Sequence, residues 1–170
     1  MEIKVRVRES TWPDVRRRAN ELADRTGEFI DQKDTFFNVR QGRLKLREFT
    51  DGSGELIYYE RPDESGPKTS SYTVSPTSEP RILLDPLSHA LGVRGVVEKR
   101  RELLIVDQTR IHLDDVQGLG LFVELEVVLD EAQSSEDGQK IARDLMRRLG
   151  IEDSDLVSGA YVDLIEKKEQ

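Results

Sequence analysis

The stretch R-I-H-L-D-D-V-Q-G-L-G-L-F-V-E-L-E-V-V-L, from Arg110 to Leu129, decides the fold class of this chain. Successive side chains of a strand point to opposite faces of a sheet, and both halves of the stretch alternate between charged and aliphatic residues. Gly118 and Gly120 lie between the halves and favour a reversal. The stretch therefore predicts an antiparallel hairpin with one charged face. That face carries Arg110, His112, Asp114, Glu124 and Glu126.

Three further segments alternate in the same way, but their charges are basic. The basic pairs, each two residues apart, are Lys4 and Arg6, Lys45 and Arg47, and Lys99 and Arg101. Like charges that neighbour one another on a sheet cost stability, so an ordinary solvated face gains nothing from them. A face that binds anions explains the pattern better, while a solvated face with internal ion pairs remains the alternative.

The remaining segments supply more strands and a few helices. A helix is expected after Ser10, and others at 81–91, 134–149 and 159–168, because apolar residues recur there at helical spacing. Extended patterns are expected at 2–8, 29–39, 43–49, 55–61, 68–75 and 93–107. Many antiparallel strands with few helices indicate an α+β domain dominated by one antiparallel sheet or barrel.

Closure of such strands into a barrel would put one set of alternate residues inside. The aliphatic set, which includes Ile3, Val5 and Leu125, would then pack outward against the helices. A charged interior cannot be a dry core, because buried unpaired charges cost several kcal/mol each. The interior is therefore expected to be a hydrated tunnel in which arginine and lysine hold phosphate oxygens and carboxylates hold Mg²⁺ or Mn²⁺.

Composition limits the class of protein. The 170 residues are enough for one domain, expected to span 1–170, and the net charge of −8 argues against a nucleic-acid surface. The chain has no cysteine, which excludes disulfides and thiolate chemistry. There is no apolar run of membrane-spanning length and no signal-peptide core in the first residues. A cytoplasmic protein without a membrane partner is the expectation.

Taken together, these segments resemble the CYTH superfamily, the triphosphate tunnel metalloenzymes. The likeness covers nearly the whole chain in the right order and is closest to the branch that contains class IV adenylyl cyclases. It rests on E-I-K at 2–4, Q-K-D-T-F-F at 32–37, R-L-K-L-R-E at 43–48, Y-Y-E-R-P at 58–62, K-T-S-S-Y at 68–72 and the stretch at 110–126. The last of these is the most specific.

The resemblance implies an antiparallel eight-stranded closed β-barrel with a charged bore and flanking helices. The family's first-strand motif is E-x-E-x-K, of which Glu2 matches the second glutamate and Lys4 the lysine. The first glutamate has no counterpart, since its position would precede Met1. The implied cofactor is Mg²⁺ or Mn²⁺.

The resemblance also assigns roles to individual residues. The implied metal ligands are Glu2, Glu124, Glu126 and Asp114. The implied catalytic residues are Glu124, Glu126, Asp114 and Lys4. The implied triphosphate-binding residues are Lys4, Arg6, Lys45, Arg47, Arg61, Lys99, Arg101 and Arg110, with Lys33, Lys68 and His112 as further candidates. For His112, proton transfer, orientation of a phosphate and a structural hydrogen bond to Asp114 stay open.

The leading hypothesis is a metal-dependent phosphohydrolase of a small-molecule triphosphate, such as inorganic, thiamine or nucleoside triphosphate. One alternative is a class IV-type adenylyl cyclase that converts ATP to cyclic AMP and pyrophosphate. Another is a non-catalytic module that binds polyphosphate or nucleotide. The sequence leaves open whether the protein is a monomer or a homodimer.

Overall fold

Eight antiparallel strands form one sheet in the order β1-β8-β7-β6-β2-β3-β4-β5. The computed structural model describes residues 1–60 and 71–169. The strands are β1 Glu2–Val7, β2 Glu28–Phe37, β3 Arg43–Phe49, β4 Gly54–Glu60, β5 Ser71–Thr77, β6 Val93–Val106, β7 Thr109–Val116 and β8 Gly120–Val127. The helices are α1 Trp12–Leu22, α2 Pro80–Leu91, α3 Ser135–Leu149 and α4 Tyr161–Glu169, with a short 3₁₀ helix at Asp153–Asp155.

The predicted α+β fold with eight antiparallel strands is confirmed. The hairpin at its centre joins β7 to β8 through Gly118 and Gly120, which take φ values of +79° and +102°. Side chains from all eight strands line a single cavity, so the sheet is curved around that cavity. Closure into a barrel stays a prediction, because the described residues contain no ladder between the edge strands β1 and β5.

The outer face of β1, β6, β7 and β8 carries the larger hydrophobic core. Ile3, Val5 and Leu125 are each no more than 1% exposed and pack with residues of α1 and α3. The aliphatic half of the alternating pattern therefore faces the helices, as the sequence predicts. α3 begins with a capping box between Ser134 and Asp137, which satisfies the free N–H groups of its first turn.

A second apolar cluster fills one end of the inner face. Phe122 of β8 meets Tyr161 of α4 edge to face, with ring centroids 5.0 Å apart. Around them pack Phe36, Val97, Val116, Ala160 and Val162. The prediction that charged residues line the whole interior is therefore wrong at this end. The aromatic and aliphatic residues there make a dry core that α4 covers.

Ion pairs fix α4 to the sheet. Arg43 of β3 and Arg94 of β6 both donate to the carboxylate of Asp163, at 2.8 Å and 2.7 Å. Arg94 also donates twice to Glu166, each time at 2.8 Å. Because these bonds join two strands to one helix, they set the position of Tyr161 at the helix start.

The helices differ from the sequence prediction only at their ends. α1 begins at Trp12 with Thr11 rather than Ser10 as its N-terminal flanking residue. Pro86 lies inside α2 without dividing it. None of the helices in the described part of the chain is long and apolar enough to cross a membrane.

Candidate functional site

The curved sheet encloses a cavity of about 500 Å³ on its inner face. Alternation brings the charged residues of separate strands to this one space, since their side chains all leave the same face. Ten of the residues singled out from sequence line it. They are Glu2, Lys4, Lys45, Arg47, Lys99, Arg101, Arg110, His112, Glu124 and Glu126.

Three of these cations surround one carboxylate, and we call Lys45, Arg47, Lys99 and Asp34 the basic cluster. Arg47 donates from Nε and Nη2 to the two oxygens of Asp34, at 2.7 Å and 2.8 Å. Lys45 Nζ donates to Asp34 Oδ2 at 2.9 Å, and Lys99 Nζ lies 3.7 Å from the same oxygen. Cations outnumber carboxylates here, even when Glu55, opposite Arg47 on β4, is counted.

The pKa values of the basic cluster reflect this imbalance. Burial alone would raise the pKa of Asp34, but the charges of Lys45, Arg47 and Lys99 hold it well below its usual range. Burial and the nearby Arg47 charge lower the pKa of Lys45 to about 8. Burial and the Arg101 charge lower the pKa of Lys99 to about 7. Burial and neighbouring arginine charges thus outweigh the attraction of Asp34 for both lysines.

A second group lies on β1, β6, β7 and β8, and we call Asp114, Glu124, Lys4 and Arg101 the carboxylate cluster. Arg101 donates to both Asp114 oxygens, at 2.7 Å and 2.6 Å, and to Glu124 at 2.8 Å. Lys4 Nζ is 3.1 Å from Glu124 Oε1. Two cations face two carboxylates, so the positive and negative charges of this cluster are balanced.

Tyr161 completes the carboxylate cluster from α4. Its hydroxyl donates to Asp114 Oδ2 at 2.7 Å, and its ring lies 3.9 Å from Lys4 Nζ, a cation–π contact. Lys99 Nζ is 5.1 Å from the same ring centroid. Burial and the charge of Asp114 raise the pKa of the Tyr161 hydroxyl well above its usual value. The phenol therefore stays protonated and acts as a donor.

Glu124 stays ionised although it is buried. Burial would raise its pKa, but the Lys4 charge, the Arg101 charge and contact with His112 hold that pKa well below its usual range. The two oxygens of Asp114 accept from Arg101 and Tyr161, and the Arg101 charge outweighs burial to lower its pKa. In this arrangement Asp114 holds Arg101 in place.

His112 lies among glutamates and not against Asp114. Its Nδ1 is 3.7 Å from Glu124 and its Nε2 is 4.0 Å from Glu126, both too long for hydrogen bonds. The buried Nδ1 has no hydrogen-bond partner among the described residues. Burial and the Arg101 charge lower the pKa of His112, so its ring is neutral near pH 7. A hydrogen bond to Asp114 is therefore not its role in this structure.

The outer part of the cavity is more open to solvent. Arg110 Nη1 is 3.2 Å from Glu126 Oε1, and the Arg110 side chain is 45% exposed. Glu2 of β1 lies opposite Glu126 of β8 in the strand register. Glu2, Glu124 and Glu126 thus occupy neighbouring positions on two adjoining strands.

These three glutamates fit a hard divalent cation in chemical type, since Mg²⁺ and Mn²⁺ prefer oxygen ligands. Asp114 fits less well, because its oxygens are occupied by Arg101 and Tyr161. Within residues 1–60 and 71–169, no group of three or more acidic or histidine side chains is placed so that it could hold a metal ion without rearrangement. A cation there would compete with Lys4 and Arg101 for Glu124.

Four predicted site residues lie elsewhere or outside the described residues. Arg6 is exposed and sits 5.2 Å from the Phe122 ring, beyond the apolar end of the cavity. Lys33 points to the opposite face of β2, 3.8 Å from Glu98, where it lines a separate open groove. The structure therefore does not bring Arg6 and Lys33 to the cavity. Arg61 and Lys68 fall outside the described residues.

Sequence reasoning missed two residues of the site. Asp34 belongs to the extended segment at 29–39, and it shares the cavity face with Gln32 and Phe36. Alternation within that segment is the signal that identifies it. Tyr161 gives no such signal, because sequence does not tell where the last helix packs.

The family comparison identifies the class of protein. The profile of the CYTH domain matches residues 1–161. The chain belongs to the CYTH domain family. The resemblance drawn from the strand motifs is therefore confirmed. Among curated proteins, no match to the sequence is found.

Solved structures share the fold of this CYTH domain over nearly its whole length. The protein PH1012 from Pyrococcus horikoshii has a TM-score of 0.86 at 25% identity, covering 96% of this chain and 98% of that one. A candidate adenylate cyclase from Vibrio parahaemolyticus has a TM-score of 0.76 at 18% identity, covering 98% and 97%. HpAC1 from Hippeastrum, a candidate adenylyl cyclase with a dominant triphosphatase activity, has a TM-score of 0.68 at 16% identity, covering 99% and 95%. The last two likenesses show the fold alone.

Proposed function

We propose that this CYTH domain is an Mg²⁺- or Mn²⁺-dependent hydrolase of a triphosphate compound. The observation that carries the proposal is an excess of cations with little exposure to solvent, the basic cluster, next to a charge-balanced carboxylate cluster in one cavity. The proposal includes closure of the sheet into a barrel, with β1 beside β5 around the substrate.

The basic cluster supplies what a polyphosphate chain requires. Arg47 has five N–H donors and gives two to Asp34, so the others remain for phosphate oxygens. Lys45 and Lys99 add ammonium donors in a buried setting, where charge-assisted hydrogen bonds are strong. A bound triphosphate would also provide the negative charge that these lysines lack.

The carboxylate cluster provides the second half of the site. Lys4 and Arg101 carry donors close to the cavity, and both are held by Glu124. Their positive charge can stabilise the charge that develops on a phosphoryl group during transfer. A divalent cation, when bound by Glu2, Glu124 and Glu126, supplies further charge neutralisation to the phosphate oxygens.

The reaction proposed is attack of water on the terminal phosphorus. The oxygen of water forms a new P–O bond, the bond to the bridging oxygen breaks, and orthophosphate and a diphosphate compound leave. Two observations support it: the charges of the cavity, and the dominant triphosphatase activity of the structural neighbour HpAC1. Positioning and electrostatics account for most catalysis of this kind, so no covalent intermediate is required.

An adenylyl cyclase is the second candidate, because the same charges can bind ATP and the Vibrio parahaemolyticus neighbour is a candidate adenylate cyclase. In that reaction the ribose 3′-hydroxyl attacks the α-phosphorus and pyrophosphate leaves. Hydrolysis ranks first because water needs no alignment of a sugar hydroxyl in the cavity.

A non-catalytic polyphosphate-binding module is the third candidate. It is favoured by one observation, namely that Glu124 and Glu126 are held in ion pairs. This candidate predicts triphosphate binding without turnover at any metal concentration.

Phosphorus NMR of the purified protein tests the three candidates. Tripolyphosphate, thiamine triphosphate and ATP are supplied separately with Mg²⁺ or Mn²⁺, and each sample is repeated with EDTA. The proposal predicts orthophosphate release that EDTA abolishes. Pyrophosphate with cyclic AMP would establish the cyclase, and binding without any product would establish the third candidate.

A further inference from the structure

Asp34 is the most enclosed charged residue of the basic cluster, with 1% of its surface exposed. It lies on β2, next in register to Arg47 on β3 and Val97 on β6. Both of its oxygens accept hydrogen bonds from the cluster, three bonds in all from Arg47 and Lys45. A substrate phosphate would therefore meet cations that are already paired with the carboxylate of Asp34.

The three cations would repel one another without this carboxylate. Lys45, Arg47 and Lys99 come from two strands, β3 and β6, on either side of β2, so no backbone connection brings their charged ends together. Like charges this close in a buried setting interact strongly, because solvent screens them little. Asp34 is the group that lies between them and offsets the repulsion.

We propose that Asp34 is a positioning residue for the triphosphate, which holds the basic cluster assembled and directed into the cavity before substrate binds. This inference rests on the function proposed above. Asp34 carries no proton in the reaction. Its bidentate bond fixes the plane of the Arg47 guanidinium and leaves the outer donors of Arg47 free for phosphate oxygens.

Several other charged and aromatic groups surround the two lysines. Glu55 faces Arg47 from β4, Arg101 adjoins Lys99 along β6, and Asp114 acts on Lys99 from β7. The Tyr161 ring approaches Lys99 from α4. Of all these groups, Asp34 alone accepts a hydrogen bond from Lys45 and from Arg47 among the bonds of the described residues.

Proton uptake on binding distinguishes this role from a merely structural one. In the free protein Lys99 has a pKa of about 7 and Lys45 of about 8, and bound triphosphate would raise both pKa values. At pH 7.5 the two lysines of the wild type are therefore expected to gain about one proton between them, since Lys99 is then mostly neutral and Lys45 mostly charged, and any proton that tripolyphosphate itself releases is common to all variants. Without the Asp34 charge both lysines become mostly neutral, and uptake rises towards about two protons.

The experiment is calorimetric titration of the whole protein with tripolyphosphate at pH 7.5, in two buffers of different ionisation enthalpy. Asp34→Asn is compared with Asp31→Asn, which makes the same change at an exposed position of the same strand. We expect D34N to increase proton uptake and to weaken binding about tenfold. D31N should match the wild type, and in turnover D34N should raise KM far more than it lowers kcat.

The outcomes separate the role of Asp34 from the proposed function. The same titration is made with thiamine triphosphate and with ATP, and wild-type protein that binds none of the three triphosphates overturns both. Wild-type binding with unchanged proton uptake and affinity in D34N overturns the role of Asp34 alone. Asp34→Glu serves if D34N does not fold: it keeps the charge but displaces it, so proton uptake should stay at the wild-type level while KM rises. A wild-type KM in D34E would also overturn the inference.

Discussion

The basic cluster and the carboxylate cluster both combine lysine and arginine with carboxylates, but in different proportions. In the first, Lys45, Arg47 and Lys99 share Asp34. In the second, Lys4 and Arg101 face two carboxylates and a tyrosine hydroxyl. The proportion decides what each cluster can do. A deficit of negative charge attracts an anion, whereas a balanced group resists change and keeps its geometry.

The two clusters adjoin along β6. Lys99 belongs to one and Arg101 to the other, and two residues of a strand span about 7 Å. A short polyphosphate in the cavity can therefore contact both. Under the proposed function, the basic cluster would provide affinity for phosphate, and the carboxylate cluster with its neighbouring glutamates would provide stability and turnover.

Removal of Asp114 should have the largest effect on stability. Asp114→Ala leaves Arg101 with a deficit of negative charge in a buried position, so we expect the free energy of unfolding to fall by about 3–5 kcal/mol. Urea denaturation followed by circular dichroism measures this loss. Asp115→Ala, the adjacent exposed residue on the outer face, is the control and should change stability by less than about 0.5 kcal/mol. Equal losses in both variants would contradict the balanced character of the cluster.

Replacement of the cavity glutamates by glutamine should slow turnover but leave substrate binding nearly unchanged. Glu124→Gln and Glu126→Gln each remove a negative charge near the proposed metal position, and we expect kcat to fall by about 10²–10³-fold. Affinity for tripolyphosphate should stay within about fivefold, because the basic cluster is unchanged. Steady-state phosphate release and calorimetry measure the two quantities. Glu131→Gln, an exposed position after β8, should leave both at wild-type values. Full activity in the two cavity variants would refute the assignment.

A neutral residue in place of Lys99 should weaken binding, in contrast to the glutamine variants, which should slow turnover. Lys99→Met removes one cation from the basic cluster, so tripolyphosphate affinity should fall by about tenfold to thirtyfold, as expected for a charged hydrogen bond. Arg100→Met is a matched control, since Arg100 is the next residue of β6 and is exposed on the other face. If the two variants bind equally well, phosphate does not bind at this cluster.

The pH dependence of binding is a gradual effect that follows from the same two lysines. Because burial lowers the pKa of Lys99 to about 7 and that of Lys45 to about 8, both lysines lose charge between pH 6.5 and 8.5. Affinity for tripolyphosphate should therefore fall as pH rises through this range, by up to about tenfold per pH unit for each proton taken up. Lys99→Arg stays charged at all these pH values and should flatten the profile. A profile in K99R as steep as that of the wild type would exclude Lys99 as the titrating group.

The lowered pKa values of Lys99 and Lys45 also affect the stability of the free protein. The folded state binds fewer protons than the unfolded state above pH 7, because unfolded lysine keeps its proton to about pH 10.4. The destabilising effect of the charged forms of Lys45 and Lys99 is thus full below about pH 7 and is relieved as pH rises.

Sequence alternation is enough to find most of the site, since a period of two fixes the face of every residue in a strand. It assigns Lys45, Arg47, Glu124 and Glu126 to charged faces, and all four side chains line the cavity. Alternation does not say how far along a strand the cavity extends. Arg6 shares its face with Lys4 but lies past the apolar end made by Phe122 and Tyr161.

Other features depend on contacts distant in sequence. Tyr161 reaches Asp114 across 47 residues because Arg43 and Arg94 hold α4 against the sheet. Asp34 becomes important only when β3 and β6 flank β2 and bring three cations to it. Lys33, the residue before Asp34, points to the opposite face of β2, where its Nζ lies 3.8 Å from Glu98 Oε1. One step along a strand thus separates a cavity residue from a surface residue.

The most direct test of the division between the clusters is a crystal structure with Mn²⁺ and an imido analogue of a triphosphate that resists hydrolysis. Anomalous scattering locates the manganese independently of the phosphorus atoms. We predict phosphate oxygens on Lys45, Arg47 and Lys99, and manganese on oxygens of Glu2, Glu124 and Glu126. Phosphate bound outside the cavity, or manganese among residues of the basic cluster, would contradict the account.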